Sequence, residues 1–83
     1  MKTQLLTIEE LLTLGFQELE GDTLDDVGYY KWWVFYKNES ELHITYEYKN
    51  NGDFVLGYVE LNGEELKGRE LQKTDINFLI GIM

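Results

Sequence analysis

The clearest periodic signal in the chain lies between residues 41 and 49. Leu42, Ile44, Tyr46 and Tyr48 alternate with Glu41, His43, Thr45, Glu47 and Lys49, and a period of two predicts a strand with one apolar and one polar face. Asn50-Asn51-Gly52-Asp53 follows. Asn-Gly between alternating runs is a strong hairpin signal, because a type I′ turn needs positive φ at both central residues. With Asn51 and Gly52 as a two-residue loop, Tyr48 faces Val55, Tyr46 faces Gly57, Ile44 faces Val59 and Leu42 faces Leu61. All four pairs are apolar, so turn chemistry and hydrophobic pattern specify the same register.

The preceding run, Tyr29 to Lys37, is apolar on both of its period-two faces, and its register depends on the connection to the next strand. A three-residue loop, Asn38-Glu39-Ser40, pairs Lys37 with Glu41 and Lys31 with Glu47, two opposite-charge pairs. It also sets Tyr30, Trp32, Val34 and Tyr36 on the core face with Leu42 and Ile44. The prediction is a meander of strands over 29–37, 41–49 and 54–61. Phe16–Glu20 alternates and predicts a short leading strand, and Asn62-Gly63 marks a further turn after which Glu64–Lys67 can pair back. Gly68 to Lys73 reads either as an edge strand or as an extended lead-in.

Two helices flank the strands. Thr7-Ile8-Glu9-Glu10 matches a capping box, Leu6 and Leu11 stand where a hydrophobic staple closes, and Gly15 suits the C-terminal stop, so a helix is predicted over 8–14. Near the C-terminus Thr74 is the expected N-cap and Asp75 suits the positive helix end. Ile76, Leu79, Ile80 and Met83 then fall on one face, widened by Phe78 and Ile82. The expected fold class is α+β, in a single domain spanning 1–83: a short N-terminal helix, an antiparallel β-meander of three to five strands and a short C-terminal helix.

Composition narrows what such a domain can do. The chain has 83 residues with no Cys and no Pro, and its aromatic content of 14% is too high for a segment that stays unfolded. Without cysteine there is no disulfide framework, thiolate metal site or thiol nucleophile. The apolar run after Lys2 is too short for a signal peptide, and no stretch approaches the roughly 18 apolar residues of a membrane span. A soluble cytoplasmic protein with no membrane association is expected.

The net charge of -9 argues against direct nucleic-acid binding, which relies on clustered Lys and Arg. Residues 1–26 hold seven acids and only one base, Lys2. Glu18, Glu20, Asp22, Asp25 and Asp26 form the densest acidic run. It reads as a solvated loop or as a patch that engages a basic partner; for a calcium loop it lacks the alternating ligands and central glycine.

In the predicted register, Tyr29, Trp33 and Phe35 share the face opposite the core with Phe54, Leu56 and Tyr58, rimmed by Lys31 and Lys37. So apolar a face asks for an occupant. One reading puts a helix on each side of the sheet. A second makes these residues the anchors of a protein interface, either a homodimer or a docked partner, as Trp, Tyr and Phe dominate binding hot spots. A third is a small-ligand groove. If both helices lie on the Leu42 face, Trp33 is left without cover.

Candidate chemistry is sparse. His43, Ser40 and Arg69 are the only residues of their types. Ser40 sits in a predicted turn, with no carboxylate evident to orient His43, which argues against a triad. Glu41, His43 and Glu60 share one face and read as a His–Glu pair rather than a metal site. The glycines are scattered as turn and cap residues, with no phosphate-binding loop. No enzymatic activity, metal or cofactor is expected.

The layout Thr7-Ile-Glu-Glu-Leu-Leu-Thr-Leu-Gly15-Phe16, an aromatic meander, Leu61-Asn-Gly-Glu-Glu-Leu-Lys-Gly68 and a short closing helix resembles small accessory proteins of phage and prophage genomes. That resemblance implies a non-enzymatic accessory or host-modulating role. Together the expectations are a protein-binding module that self-associates or docks a partner through its aromatic sheet face. The alternative is an acidic inhibitor or nucleic-acid mimic that engages a basic host protein through residues 18–26.

Overall fold

The computed structural model describes residues 4–21, 23–24, 28–66 and 71–83. Helix α1 (Ile8–Leu14) is followed by strands β1 (Gln17–Leu19), β2 (Thr23–Leu24), β3 (Gly28–Lys37), β4 (Ser40–Lys49), β5 (Phe54–Leu61) and β6 (Glu64–Glu65), and helix α2 (Lys73–Ile82) closes the chain. The strands form one antiparallel sheet in the order β1-β3-β4-β5-β6, with β2 also paired to β3. The fold is α+β, a meander between two terminal helices. Of Gly68 to Lys73, read as an edge strand or an extended lead-in, residues 68–70 fall outside the described residues, Leu71 and Gln72 lie in no strand, and Lys73 opens α2.

Helix α1 forms as its cap residues predict. The Thr7 hydroxyl accepts the Glu10 amide at 3.1 Å, and the Glu10 carboxylate accepts the Thr7 amide at 3.0 Å. The Thr7 backbone bond, together with Lys73 at 3.0 Å from the second Glu10 oxygen, holds the Glu10 carboxyl below its usual range. Leu6 and Leu11, the two ends of the staple, are both buried. Gly15 ends the helix at φ 100°, with its own amide bonded to Leu12 and that of Phe16 to Leu11. This Schellman arrangement turns the chain into β1.

Both helices pack on the same face of the sheet. Leu11 and Ile76, from the two helices, join Trp33, Leu42, Ile44, Tyr46 and Val59 from the strands in one core. Tyr46 is fully buried, and its hydroxyl accepts the Leu6 amide at 3.0 Å and donates to the Leu6 carbonyl at 3.3 Å. One side chain thereby satisfies both backbone groups of the residue that leads into α1. Burial is the main reason that the Tyr46 hydroxyl is pushed up to about 12.

The β3–β4 turn has two residues, not the three expected. Lys37 pairs with Ser40, Trp33 with Ile44 and Lys31 with Tyr46. Asn38 and Glu39 carry φ of 49° and 68°, as a type I′ turn requires. The expected register maximised charge pairs, each worth about 0.2–1 kcal/mol. The observed one exchanges Trp32 and Tyr36 for Trp33 and Phe35 on the core face, and because burying one such side chain contributes about 1.5–3 kcal/mol in either register, apolar burial alone does not choose between them. It also brings Lys37 Nζ to the Ile80 carbonyl at 2.9 Å and Asn38 Nδ2 to the Met83 carbonyl at 3.0 Å, both at the C-terminal end of α2. A cation there complements the helix dipole.

The β4–β5 hairpin differs in detail but agrees in its body. Leu42, Ile44 and Tyr46 face Leu61, Val59 and Gly57 as the pattern predicts. Near the turn, Tyr48 faces Phe54 instead of Val55. The loop is longer by one residue: the Gly52 amide bonds the Lys49 carbonyl, the Lys49 amide bonds the Asp53 carbonyl, and Gly52 alone of the turn takes a positive φ, 95°. A bulge between the Tyr48 and Glu47 pairings absorbs the extra residue. Phe54 consequently turns to the helix side, edge-on to Tyr46 and Tyr48 at 5.7 and 6.0 Å, while Val55 is exposed.

Helix α2 begins at Lys73 with Gln72 as its N-cap, ahead of the expected Thr74, because the Asp75 carboxylate accepts the Gln72 amide. Ile76 is buried, and Leu79, Ile80 and Met83 pack against the core. Phe78 and Ile82, expected to widen that stripe, instead point outward at 67% and 61% exposure. Among the described residues no helix is long and apolar enough to cross a membrane.

Candidate docking face

The one-residue shift at Asn38-Glu39 exchanges the two faces of β3. Trp33, the expected anchor of an exposed face, is 2% exposed in the core. Phe35 lies against Phe16 at 5.4 Å, and Tyr29 stacks on Tyr48 at 5.3 Å. Phe54 has joined the same side through the bulge. Of the six expected interface residues, only Leu56 and Tyr58 lie on the face away from the helices. Lys31 and Lys37, the expected rim, also stand on the helix side.

The face away from the helices is nonetheless aromatic, with different residues. Strand β3 contributes Tyr30, Trp32, Val34 and Tyr36, β4 contributes Glu41, His43, Thr45 and Glu47, and β5 contributes Leu56, Tyr58 and Glu60. Val34 and Thr45 are buried near its centre, while Tyr36 and Leu56 stand out at 56% and 39% exposure. Neither helix packs here. Tyr30, Trp32, Val34 and Tyr36, expected on the core face, lie here instead, because Tyr29 to Tyr36 is apolar at nearly every position and its pattern does not distinguish the two faces. The available signal was Asn38, a residue that tolerates the left-handed region and so permits a two-residue turn.

A hydrogen-bonded array fixes the centre of this face. The Trp32 indole N–H donates to His43 Nδ1 at 2.8 Å, and His43 Nε2 lies 3.2 Å from a Glu41 carboxylate oxygen. An indole nitrogen can only donate, so Nδ1 is the acceptor, the imidazole proton sits on Nε2, and Glu41 accepts it. The two rings lie 5.3 Å apart and tilted by 33°. With both nitrogens engaged, His43 is held as a structural strut that orients Trp32. His43 does pair with Glu60 in the register, but its bonded carboxylate is Glu41 on its own strand. Among the described residues, no group of three His, Cys, Asp or Glu side chains could hold a metal ion.

The Tyr58 hydroxyl is raised above its ordinary value chiefly by burial, a shift opposed by a bond with Thr45 and reinforced by the charges of Glu47, Glu60 and Glu65. Three carboxylates therefore act on Tyr58 from its surroundings. Of the acidic run, Glu18 and Glu20 are exposed, with Glu18 paired to Trp33 across the β1–β3 ladder. Asp22, Asp25 and Asp26 lie outside the described residues.

A groove of about 390 Å³ lies elsewhere, between the two helices. Its lining includes Leu6, Glu10, Leu14, Lys73 and Asn77, and the Lys73–Glu10 ion pair at 3.0 Å joins two of its walls. Comparison with protein-family models, with curated proteins and with solved structures finds no match.

Proposed function

We propose that this chain is a small non-enzymatic accessory module that docks a protein partner on the face of its sheet away from the helices. The observation that carries the reading is the lodging of both helices on one face, which leaves Tyr30, Trp32, Tyr36, Leu56 and Tyr58 on the other. Aromatic side chains set rigidly in a sheet present large contact area with little conformational entropy to lose, and Trp and Tyr are the commonest binding hot spots. Here the Trp32 ring is already held by His43, so less ordering remains to be done on association.

The test is capture of the natural partner by the immobilised protein, followed by affinity measurement with three variants that remain folded by circular dichroism. Trp32→Ala and Tyr58→Ala are each expected to weaken binding by about tenfold or more, whereas Phe78→Ser, on the outer side of α2, leaves it unchanged. Binding that ignores both face variants and is lost with Phe78→Ser overturns the reading. Loss of binding only when Glu18, Glu20, Asp22, Asp25 and Asp26 become amides transfers the function to the acidic segment, as an inhibitor that engages a basic protein would require.

A further inference from the structure

We infer that the segment docked on this face is arginine-rich. The inference rests on the docking reading above and on what the face offers a partner. Its central N–H donors are already spent: Trp32 on His43, and His43 on Glu41. The Thr45 hydroxyl is engaged with Tyr58. What this side offers is the π surface of the exposed Tyr36 and of the half-buried Tyr30, Trp32 and Tyr58, tyrosine hydroxyls that accept as readily as they donate, and the carboxylates of Glu41, Glu47 and Glu60. Gln17 and Lys49, the donors with most freedom on this side, stand at its margins.

Such a surface is rich in acceptors and poor in donors. Its complement must be cationic, must donate several hydrogen bonds and must have a flat face that stacks on aromatic rings. Guanidinium meets all three requirements; an ammonium meets the first and part of the second. Carboxylates beside the rings add charge-assisted bonds in a fork that arginine matches in geometry. A second copy of the chain is a poor occupant, because it would set carboxylate rows against carboxylate rows on molecules that each carry a net charge of -9. The face thus selects a basic protein segment over self-association.

The experiment uses the ¹⁵N-labelled full chain and two probes of equal charge, hexa-arginine and hexa-lysine peptides, at physiological ionic strength. Hexa-arginine is expected to move the Trp32 indole resonance and the amides of β4 and β5 around Thr45 and Tyr58. It should bind about threefold to fivefold more tightly than hexa-lysine, the gain attributable to stacking. Trp32→Ala should abolish that preference, and the doubly neutral variant Glu47→Gln/Glu60→Gln, which leaves every ring in place, should weaken hexa-arginine by about tenfold. Equal affinity for the two peptides, or shifts confined to residues 18–26, overturns the inference.

The natural partner separates this inference from the docking reading beneath it. A partner that needs Trp32 but contacts it without arginine, or proves to be a second copy of the chain, overturns the arginine assignment and leaves the docking face standing. A partner indifferent to Trp32→Ala removes both.

Discussion

Trp32 and Trp33 are consecutive residues of one strand, and they belong to opposite sides of the molecule. Trp33 lies beneath both helices, in a core whose buried hydroxyl, on Tyr46, is satisfied twice by the backbone of Leu6. Trp32 lies half-buried on the side away from the helices, its N–H satisfied by a side chain, His43, which is itself held by Glu41. On the covered side polar atoms tie the sheet to the chain that crosses it. On the side away from the helices they tie side chains to one another. The difference is between a face built to close the fold and a face built to keep its shape while open.

The largest expected contrast is between the two tryptophans. Trp33→Ala should cost about 3–5 kcal/mol in urea unfolding, as for other buried aromatics, while Trp32→Ala should cost under about 1.5 kcal/mol. Equal costs would show that the bare face is a second core and would break the comparison.

Tyr46→Phe comes next, at about 1–3 kcal/mol, because it leaves the buried Leu6 amide without its partner and leaves the Leu6 carbonyl with Gln4 Nε2 alone. It also carries a pH signature. The hydroxyl is pushed up to about 12 in the folded state from its ordinary value of 10.0, so the stability linked to it is complete below pH 10.0 and is lost as pH rises through about 12. Unfolding midpoints of the wild type should therefore fall across that window more steeply than those of Tyr46→Phe. Parallel slopes would count against a buried neutral hydroxyl.

Smaller effects sharpen the account of why the faces are assigned as they are. Lys37→Met removes the cation at the Ile80 carbonyl and should cost about 1 kcal/mol, with a loss that shrinks in high salt. Glu39→Gly should raise stability by about 0.5–1 kcal/mol, because Glu39 is held at φ 68°, a conformation that costs an L side chain energy and glycine little. Destabilisation by Glu39→Gly would mean that its side chain has a role in the β3–β4 turn beyond what the backbone requires.

How much of this was legible in the chain follows from how sharply each segment alternates. Strand β4 has a charged, hydroxyl or imidazole group at every second position, so only one assignment of its faces buries the apolar set, and Leu42, Ile44 and Tyr46 take the partners that the pattern predicts. The α1 cap is equally explicit, since Thr7 and Glu10 must both be present for the reciprocal bonds. Strand β3 has no such contrast: Tyr30-Lys31-Trp32-Trp33-Val34-Phe35 fills both faces with apolar groups, and either register looks satisfactory. Local charge pairing then favoured the wrong one. Locally, only Asn38 signals the two-residue turn; the contacts of Lys37 and Asn38 with the carbonyls at the end of α2 are long-range, and no local pattern carries them. Phe78 and Ile82 show the same limit from the other side, since helical spacing gives the width of an apolar stripe but not how much of it a small sheet can cover.

The β4–β5 hairpin holds two departures from regular pairing that undo one another. The residue added at the Asn50–Gly52 turn advances the count on one strand, and the bulge at Val55 sets it back before the core is reached. In the language of genetics it is a frameshift with its own suppressor close by. The alignment of Leu42 with Leu61 and of His43 with Glu60 depends on the sum of the two and on neither alone. A one-residue deletion in the turn can therefore be accommodated by ironing out the bulge, with everything beyond Glu47 left in step. This end of the molecule is free to change length while the face that carries His43 and Tyr58 keeps its alignment.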